Sequence, residues 1–210
     1  MGQRLTRAGF LFSLFLTTTC AVARGQLADS SPLPDDRLGI RTAPMLLLSR
    51  PDVRADLGLS PEQAHKAEKA VTELYIRAAA VKGKTGAQAV AARKEIDDAQ
   101  RIWFTANLSQ KQRNRLVQLD MQWEGPSALV SRVIVSNALG LAPHQISALE
   151  DAVAKRDDAR ARGKYTPENE KVLSRQARSI LTSQQWETWL SMLGRPFEPQ
   201  IATASTKNVR

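Results

Sequence analysis

Apolar residues recur at alternating steps of three and four along two neighbouring stretches of the chain. In the first stretch they are Ala64, Ala67, Val71, Leu74, Ala78 and Val81, and in the second they are Ala89, Ala92, Ile96, Ala99, Trp103 and Ala106. This spacing gives each of two helices, predicted at residues 61–82 and 87–106, one narrow apolar stripe. Because only a four-residue turn that begins and ends with glycine separates them, the two helices are expected to form an antiparallel hairpin.

Further helices are predicted along the rest of the chain. They are expected at residues 109–123 and 143–162, after Thr166, and after Thr182. The first of these should bury Leu116, Leu119 and Trp123. Residues 129–135 are apolar nearly all round, so a short helix there is expected to be buried at the centre of the molecule. No segment keeps the alternation of a half-buried strand, and the predicted fold is therefore all-α.

A short motif precedes four of these helices: a leucine, then a helix-capping residue, then a glutamine three positions after the cap. The copies are Leu59, Ser60 and Gln63; Leu108, Ser109 and Gln112; Leu141, Ala142 and Gln145; and Leu181, Thr182 and Gln185. A capping hydroxyl accepts a hydrogen bond from an unpaired backbone N–H, and the glutamine side chain reaches back to the N–H of the cap. In the third copy Ala142 has no hydroxyl, which is expected to weaken that helix start by about 1 kcal/mol.

The order of motifs and hairpins indicates an internal duplication. Leu57 and Leu139 are 82 residues apart, Leu108 and Leu181 are 73 residues apart, and the shortfall of nine fits a shorter second hairpin. We therefore predict two tandem repeats of antiparallel helical hairpins, at residues 42–125 and 126–197, around one shared core.

The first 23 residues have the features of a signal peptide. Arg4 and Arg7 make a positive start, residues 10–16 are apolar but for one serine, and residues 21–23 form a small-residue cleavage site. The alternatives are an uncleaved anchor and a lipoprotein signal at Cys20. Cleavage would leave a periplasmic or secreted protein with no stable membrane span.

The two ends of the cleaved chain are predicted to lie outside the helical repeats. Residues 24–41 contain prolines and acidic residues without periodicity and are expected to form a linker. Residues 198–210 are expected to form a disordered tail.

The composition limits the chemistry and the partners. Cys20 is the only cysteine, so the cleaved chain has no disulfide, and the formal net charge of the whole sequence is +9. The cleaved chain would lack Arg4 and Arg7 and carry +7. Outside the cytoplasm this charge favours anionic lipid headgroups, acidic polymers or unfolded polypeptide as partners, or it belongs to a solvated helical surface. The sequence shows neither a phosphate-binding loop nor a Ser-His-Asp arrangement, and we predict a non-enzymatic protein without a cofactor.

The four motifs resemble the Leu-Thr-x-x-Gln motif of the Spy/CpxP family of periplasmic stress proteins, and the copy at Thr182 has the threonine itself. Members of that family have two copies per chain and form a cradle of helices as a dimer. The resemblance implies ATP-independent chaperone activity, or a regulatory or metal-linked role, in the cell envelope. With four copies, this chain resembles two family subunits fused in tandem, so that a monomer would take the place of the dimer; the oligomeric state is left open.

Four side chains near the second motif are candidates for client binding: Arg101, Trp103, Arg113 and Arg115. The three guanidinium groups would attract acidic segments of an unfolded or partner polypeptide, and the aromatic ring would contact its apolar segments. Core packing is the alternative for the tryptophan.

His65 and His144, at similar places after the first and third motifs, are weak candidates for a metal site. Glu62 or Glu68 would complete such a site. Two histidines without a cysteine make a thin ligand set for zinc, and the alternative is a pair of exposed helix-start residues.

Chaperone-like binding of polypeptide is the leading functional prediction, and periplasmic metal sensing or buffering is the alternative. Nucleic-acid binding is a third hypothesis, because Leu-Ser-Pro-Glu-Gln is also similar to the helix openings of sigma-factor-like helix-turn-helix regions. The signal peptide argues against it, and we predict no nucleic-acid partner. A structural envelope protein without a client is the fourth hypothesis.

Overall fold

The computed structural model describes residues 43–198, and this part of the chain is built from helices without a strand. The prediction of an all-α fold is therefore confirmed. The predicted signal peptide, the linker at residues 24–41 and the tail beyond residue 198 lie outside the described residues. No helix in residues 43–198 is both long enough and apolar enough to cross a membrane.

The helices follow one another with short connections. The first part of the chain contains α1 (Ala43–Leu47), α2 (Pro51–Asp56), α3 (Pro61–Val81), α4 (Ala87–Asn107) and α5 (Gln110–Glu124). After a 3₁₀ turn at Gly125–Ser127, the second part contains α6 (Ala128–Ser131), α7 (Val133–Leu139), α8 (Pro143–Ala161), α9 (Pro167–Ile180) and α10 (Ser183–Leu193). Helices α3 and α4 pack on each other as one hairpin, and α8 and α9 as a second.

The buried apolar residues form two clusters, and the prediction of one shared core is wrong in this respect. Cluster one is built from α1 to α5, and cluster two from the end of α5 to α10. Helix α5 serves both, because Leu116 and Leu119 lie on one of its faces while Val117 and Met121 lie on another. The two clusters are thus joined through a single helix that has two apolar faces.

The buried stripe of α4 differs from the predicted stripe near the end of the helix. Ile96 is buried as predicted, but Phe104, which the predicted stripe did not include, is buried and Ala106 is exposed. Trp103 is half-buried and meets the Phe104 ring edge-on, with 5.9 Å between the ring centroids. Burial of the large phenylalanine removes more apolar area from water than burial of an alanine. The face of α4 that packs inward therefore carries Phe104 and not Ala106.

The short central helix is less buried than its composition predicts. Val135 is buried, whereas Val133 and Ile134 are 57% and 59% exposed. The chain is extended at Arg132, and the guanidinium of this residue is buried against α5. The buried guanidinium holds the junction of α6 and α7 against α5, while Val133 and Ile134 face water.

Trp123 also differs from the prediction, since it is 63% exposed rather than buried. Its ring lies beneath the guanidinium of Arg50, at 5.3 Å from the ring centroid. A cation–π contact at the surface of the protein takes the place of core packing.

Candidate functional site

All four motifs stand at helix starts. Ser60 accepts a hydrogen bond from the backbone N–H of Gln63 at 3.1 Å, and the side-chain oxygen of Gln63 accepts one from the N–H of Ser60 at 3.0 Å. Ser109 with Gln112 and Thr182 with Gln185 repeat both bonds. At the third motif the N–H of Ala142 donates to Gln145 at 3.0 Å. The reciprocal bond cannot form there, because an alanine side chain has no acceptor.

The glutamines of the first and second motifs also bind each other. The Nε2 atoms of Gln63 and Gln112 each donate to the Oε1 atom of the other glutamine at 3.2 Å. Gln63 donates further to the carbonyl of Asn107 at 2.7 Å, and Gln112 donates to the carbonyl of Gly58 at 3.3 Å. We call this arrangement the first glutamine pair. It holds the start of α3 beside the start of α5.

Gln145 and Gln185 form a second glutamine pair with the same bonds. Their mutual amide bonds are 2.8 and 3.1 Å long. Gln145 donates to the carbonyl of Ile180 at 2.9 Å, and Gln185 donates to the carbonyls of Leu139 at 3.3 Å and Gly140 at 3.4 Å. In both pairs each glutamine donates to the carbonyl that lies two residues before the cap of the other helix. Each amide thereby uses two donors and two acceptor positions, which is its full hydrogen-bonding capacity.

The 82-residue spacing of the first and third motifs extends further towards the N-terminus than the motifs themselves indicated. Between residues 47 and 63 nine positions are identical to the residue 82 positions later: Leu47/Leu129, Ser49/Ser131, Arg50/Arg132, Val53/Val135, Leu57/Leu139, Gly58/Gly140, Leu59/Leu141, Pro61/Pro143 and Gln63/Gln145. Val53 and Val135 are both buried, one in each cluster. Gly58 and Gly140 both have a φ near +60°, the left-handed conformation that ends the preceding short helix. A comparison of the chain with itself over this longer window would have found the register.

The four candidate client-binding residues do not form one surface. Arg115 is buried rather than exposed as the prediction required: its Nε donates to Asp56 at 2.7 Å, and its Nη1 donates to the carbonyl of Arg195 at 2.7 Å. Arg113 donates to the carbonyl of Leu108 and to the side chain of Gln110, and so serves the start of its own helix. Trp103 packs against cluster one.

Of these four residues, Arg101 keeps its side chain at the surface. It donates to Asp98 at 2.6 Å, and Lys94 donates to the same carboxylate at 2.7 Å. The hydrogen bonds from Lys94 and Arg101 hold the pKa of Asp98 below its usual range, so Asp98 stays ionised and balances part of this charge. Next to Arg101, Ile102 is 65% exposed beside a shallow depression that Thr105 and Ala106 also line.

The two histidines are exposed and do not gather a ligand set. The carboxylate of Glu62 is paired with Lys66 at 2.7 Å, which lowers the pKa of Glu62, and Glu68 is paired with Arg54 at 2.9 Å. Within residues 43–198 no three histidine, cysteine or acidic side chains lie close enough together to hold a metal ion. The structure therefore provides no observation that favours the predicted His65 and His144 site.

Two buried ion pairs are the main polar features that the sequence did not reveal. Arg132 donates to Asp120 at 2.7 Å and to Glu124 at 2.6 Å, and Arg115 pairs with Asp56 at 2.7 Å. Asp120 and Arg132 are only 2% and 6% exposed. Both pairs hold another element against α5, because Asp56 ends α2 and Arg132 lies between α6 and α7.

Comparisons with protein-family models, with curated proteins and with solved structures found no match. The interpretation of function therefore depends on the residues and contacts of this chain.

Proposed function

We propose that this chain is a non-enzymatic, exported, chaperone-like protein that holds segments of polypeptide and is built from two copies of one helical unit. The observation that carries the proposal is the repetition of the glutamine pair. The first pair joins Gln63 to Gln112 and the second joins Gln145 to Gln185, with the same mutual bonds and the same backbone acceptors. These four residues also carry the resemblance to the Spy/CpxP-like proteins.

The duplication gives units at residues 42–125 and 126–197. The 82-residue register at the start of each unit and the two buried clusters support it. In this interpretation the glutamine pair is a structural device, because it holds together the base of each helical hairpin and leaves the outer faces of the hairpin free. Two joined units in one chain would replace the two subunits of a dimer.

The exposed faces of the first hairpin are the proposed binding surface for clients. Tyr75 and Ile76 on α3 and Val90 and Ile102 on α4 are all exposed by half or more. Single exposed apolar side chains are common on proteins, but on one hairpin they offer repeated apolar contacts to an unfolded segment. Without Arg4 and Arg7 of the predicted signal peptide the formal net charge is +7, which would speed the capture of acidic segments and would make capture weaker at high salt.

Suppression of aggregation tests this proposal. An acidic client unfolded by reduction should aggregate less in the presence of one equivalent of the protein, and less protection is expected at high salt. The double substitution Ile76→Asp and Ile102→Asp should remove most of the protection. Leu190→Asp, on the exposed face of α10 in the second unit, is the matched control and should retain it. A protein that gives no protection at equal concentration would contradict the proposal.

A further inference from the structure

The chain beyond α10 leaves its own unit and binds across α5 and α2. Gly194 makes the turn with a φ of +67°, a conformation that a residue with a side chain rarely adopts. A Cβ atom at this position would also lie 2.4 Å from the side chain of Gln118. Glycine therefore allows the backbone to pass close over α5. We call residues 194–197 the C-terminal strap.

The arginine of the strap is bound through both its side chain and its backbone. The guanidinium of Arg195 lies 2.6 Å from the Oδ1 atom of Asp56 and donates to the carbonyl of the same residue at 3.1 Å. The carbonyl of Arg195 accepts from Arg115 at 2.7 Å. The acidic end of α2 and a buried arginine of α5 thus recognise one cationic residue of the strap.

Gln122 on α5 binds the backbone of every second residue from the end of α10 through the strap. Its Nε2 donates to the carbonyls of Leu193 at 2.7 Å and Arg195 at 2.8 Å, and its Oε1 accepts from the N–H of Phe197 at 2.8 Å. Such contacts do not depend on side chains. Any extended segment could make them, as peptides do when they add to the edge of a sheet.

The aromatic residue of the strap is held by a cation and by apolar contacts. Phe197 packs against cluster one, and the guanidinium of Arg50 lies 5.9 Å from the centroid of its ring. The same guanidinium lies 5.3 Å from the ring of Trp123 and is fixed by Asp52 at 2.6 and 3.0 Å. These contacts form a place for a planar ring two residues after the arginine.

We infer that Arg50, Asp56, Arg115, Gln122 and Trp123 form a peptide-binding groove, occupied in cis by the C-terminal strap, which takes a partner polypeptide with an arginine followed two residues later by an aromatic residue. The contacts are those of peptide recognition: backbone bonds to one amide side chain, a carboxylate for the cation and a surface for the ring. The strap follows α10, so its release requires none of the helices in residues 43–198 to unfold. The Arg195 side chain is 63% exposed, and ion pairs of this kind are individually weak.

Occupation in cis makes the groove self-inhibited. A tethered segment has an effective concentration of the order of millimolar, so a free peptide of the same sequence competes poorly until the strap is weakened. The inference does not rest on the client surface proposed above, because that surface lies on α3 and α4 and the groove lies on α2 and α5. Failure of the aggregation assay would therefore leave the peptide experiment to be judged by itself.

The test uses the full-length protein and a fluorescent peptide with the sequence of residues 193–198, Leu-Gly-Arg-Pro-Phe-Glu. The double variant Arg195→Ala and Phe197→Ala weakens the strap and should bind the peptide at least about tenfold more tightly than the wild type, measured by fluorescence anisotropy. Adding Gln122→Ala to the double variant should remove this gain. Peptides in which the arginine or the phenylalanine is replaced by alanine should bind at least about tenfold more weakly.

Three results would overturn the inference. The first is a double variant with wild-type helicity by circular dichroism that binds the peptide no better than the wild type. The second is sedimentation that shows the wild type to dimerise by exchange of the strap, because a second copy would then be the occupant. The third needs no variant: the amide hydrogen of Phe197 should exchange at least about tenfold faster than that of Leu119 in α5, and equal rates would show that the strap opens only when the protein unfolds.

Discussion

The side-chain amides of Gln63 and Gln112 bind each other at 3.2 Å in both directions while each also closes the start of its own helix. One side chain thus performs a local and a long-range function, because the amide has two donors and two acceptor positions. A glutamate in the same place could close its helix but could not donate to the carbonyl opposite. Glutamine in this motif is therefore explained by pairing between motifs as well as by capping.

Replacement of Gln63 by alanine should destabilise the protein by about 1–3 kcal/mol, since both the cap and the pair are lost. A double-mutant cycle separates the two effects. Gln63→Ala combined with Gln112→Ala should show a coupling of about 1 kcal/mol, because the two residues contact each other. Urea unfolding monitored by circular dichroism measures each free energy.

The matched control combines Gln63→Ala with Gln145→Ala, which lie in different pairs. These two effects should add to within about 0.5 kcal/mol. Equal coupling in both cycles would mean that the substitutions act through the whole fold rather than through the pair.

The third helix start can be improved. Ala142→Ser supplies the capping hydroxyl that the other three motifs have, and should stabilise the protein by about 0.5–1 kcal/mol. Ser60→Ala makes the opposite change at the matching position of the first unit and should destabilise it by a similar amount. Thermal unfolding compares the three proteins, and a neutral Ala142→Ser would show that α8 gains nothing from this cap.

Removal of one partner of the ion pair between Asp120 and Arg132 should destabilise the protein more than replacement of both partners by apolar residues. Asp120→Ala leaves the buried guanidinium with fewer acceptors and should destabilise the protein by about 3–5 kcal/mol. The double substitution Asp120→Leu and Arg132→Met removes both charges and should recover much of this loss in urea unfolding. Arg132 also binds Glu124, so its replacement removes an ion-pair partner from that carboxylate. The double variant therefore also carries Glu124→Gln. A double variant less stable than Asp120→Ala would contradict this account.

Asp52 should contribute to the dependence of stability on pH. Hydrogen bonds from Arg50 outweigh the opposing effect of burial and hold the pKa of Asp52 below its usual value. The folded state therefore gains stability above about pH 4, where an unfolded aspartate is ionised, and loses that gain as the pH falls through the lowered pKa. Urea unfolding at about pH 6 and about pH 2.5 should show a smaller loss for Asp52→Asn than for the wild type. An equal loss would assign the acid sensitivity to other carboxylates.

Local signals in the sequence predicted the helices well. The hairpin predicted at residues 61–82 and 87–106 is observed at Pro61–Val81 and Ala87–Asn107. Capping residues, prolines and glycines determine where a helix begins or ends within a few residues of their own position. They can therefore be recognised without knowledge of the rest of the fold. The spacing of apolar residues predicts the buried face of a helix less accurately. On α4, whether Phe104 or Ala106 is buried depends on the residues against which the helix packs.

Contacts between distant residues were not predictable in the same way. Arg115 and Arg132 look like ordinary surface cations in the sequence, and nothing near them identifies Asp56 or Asp120 as partners. The prediction of one core failed for a related reason, because only the packed structure shows which face of α5 meets which unit. The pairing of the glutamines was not predicted either, although Gln63 and Gln145 are among the identities of the 82-residue register.

The contacts that close this fold differ in how much of the chain each one requires. The glutamine pairs span 49 and 40 residues, so each pair can form without a residue from the other pair. The bond from Arg195 to the carbonyl of Asp56 spans 139 residues and needs nearly the whole described chain. The first pair can therefore form before any residue of the second unit is available. Helix α5 and Arg132 join the two units once α6 and α7 pack, and residues 194–197 add the most distant contact, to the end of α2.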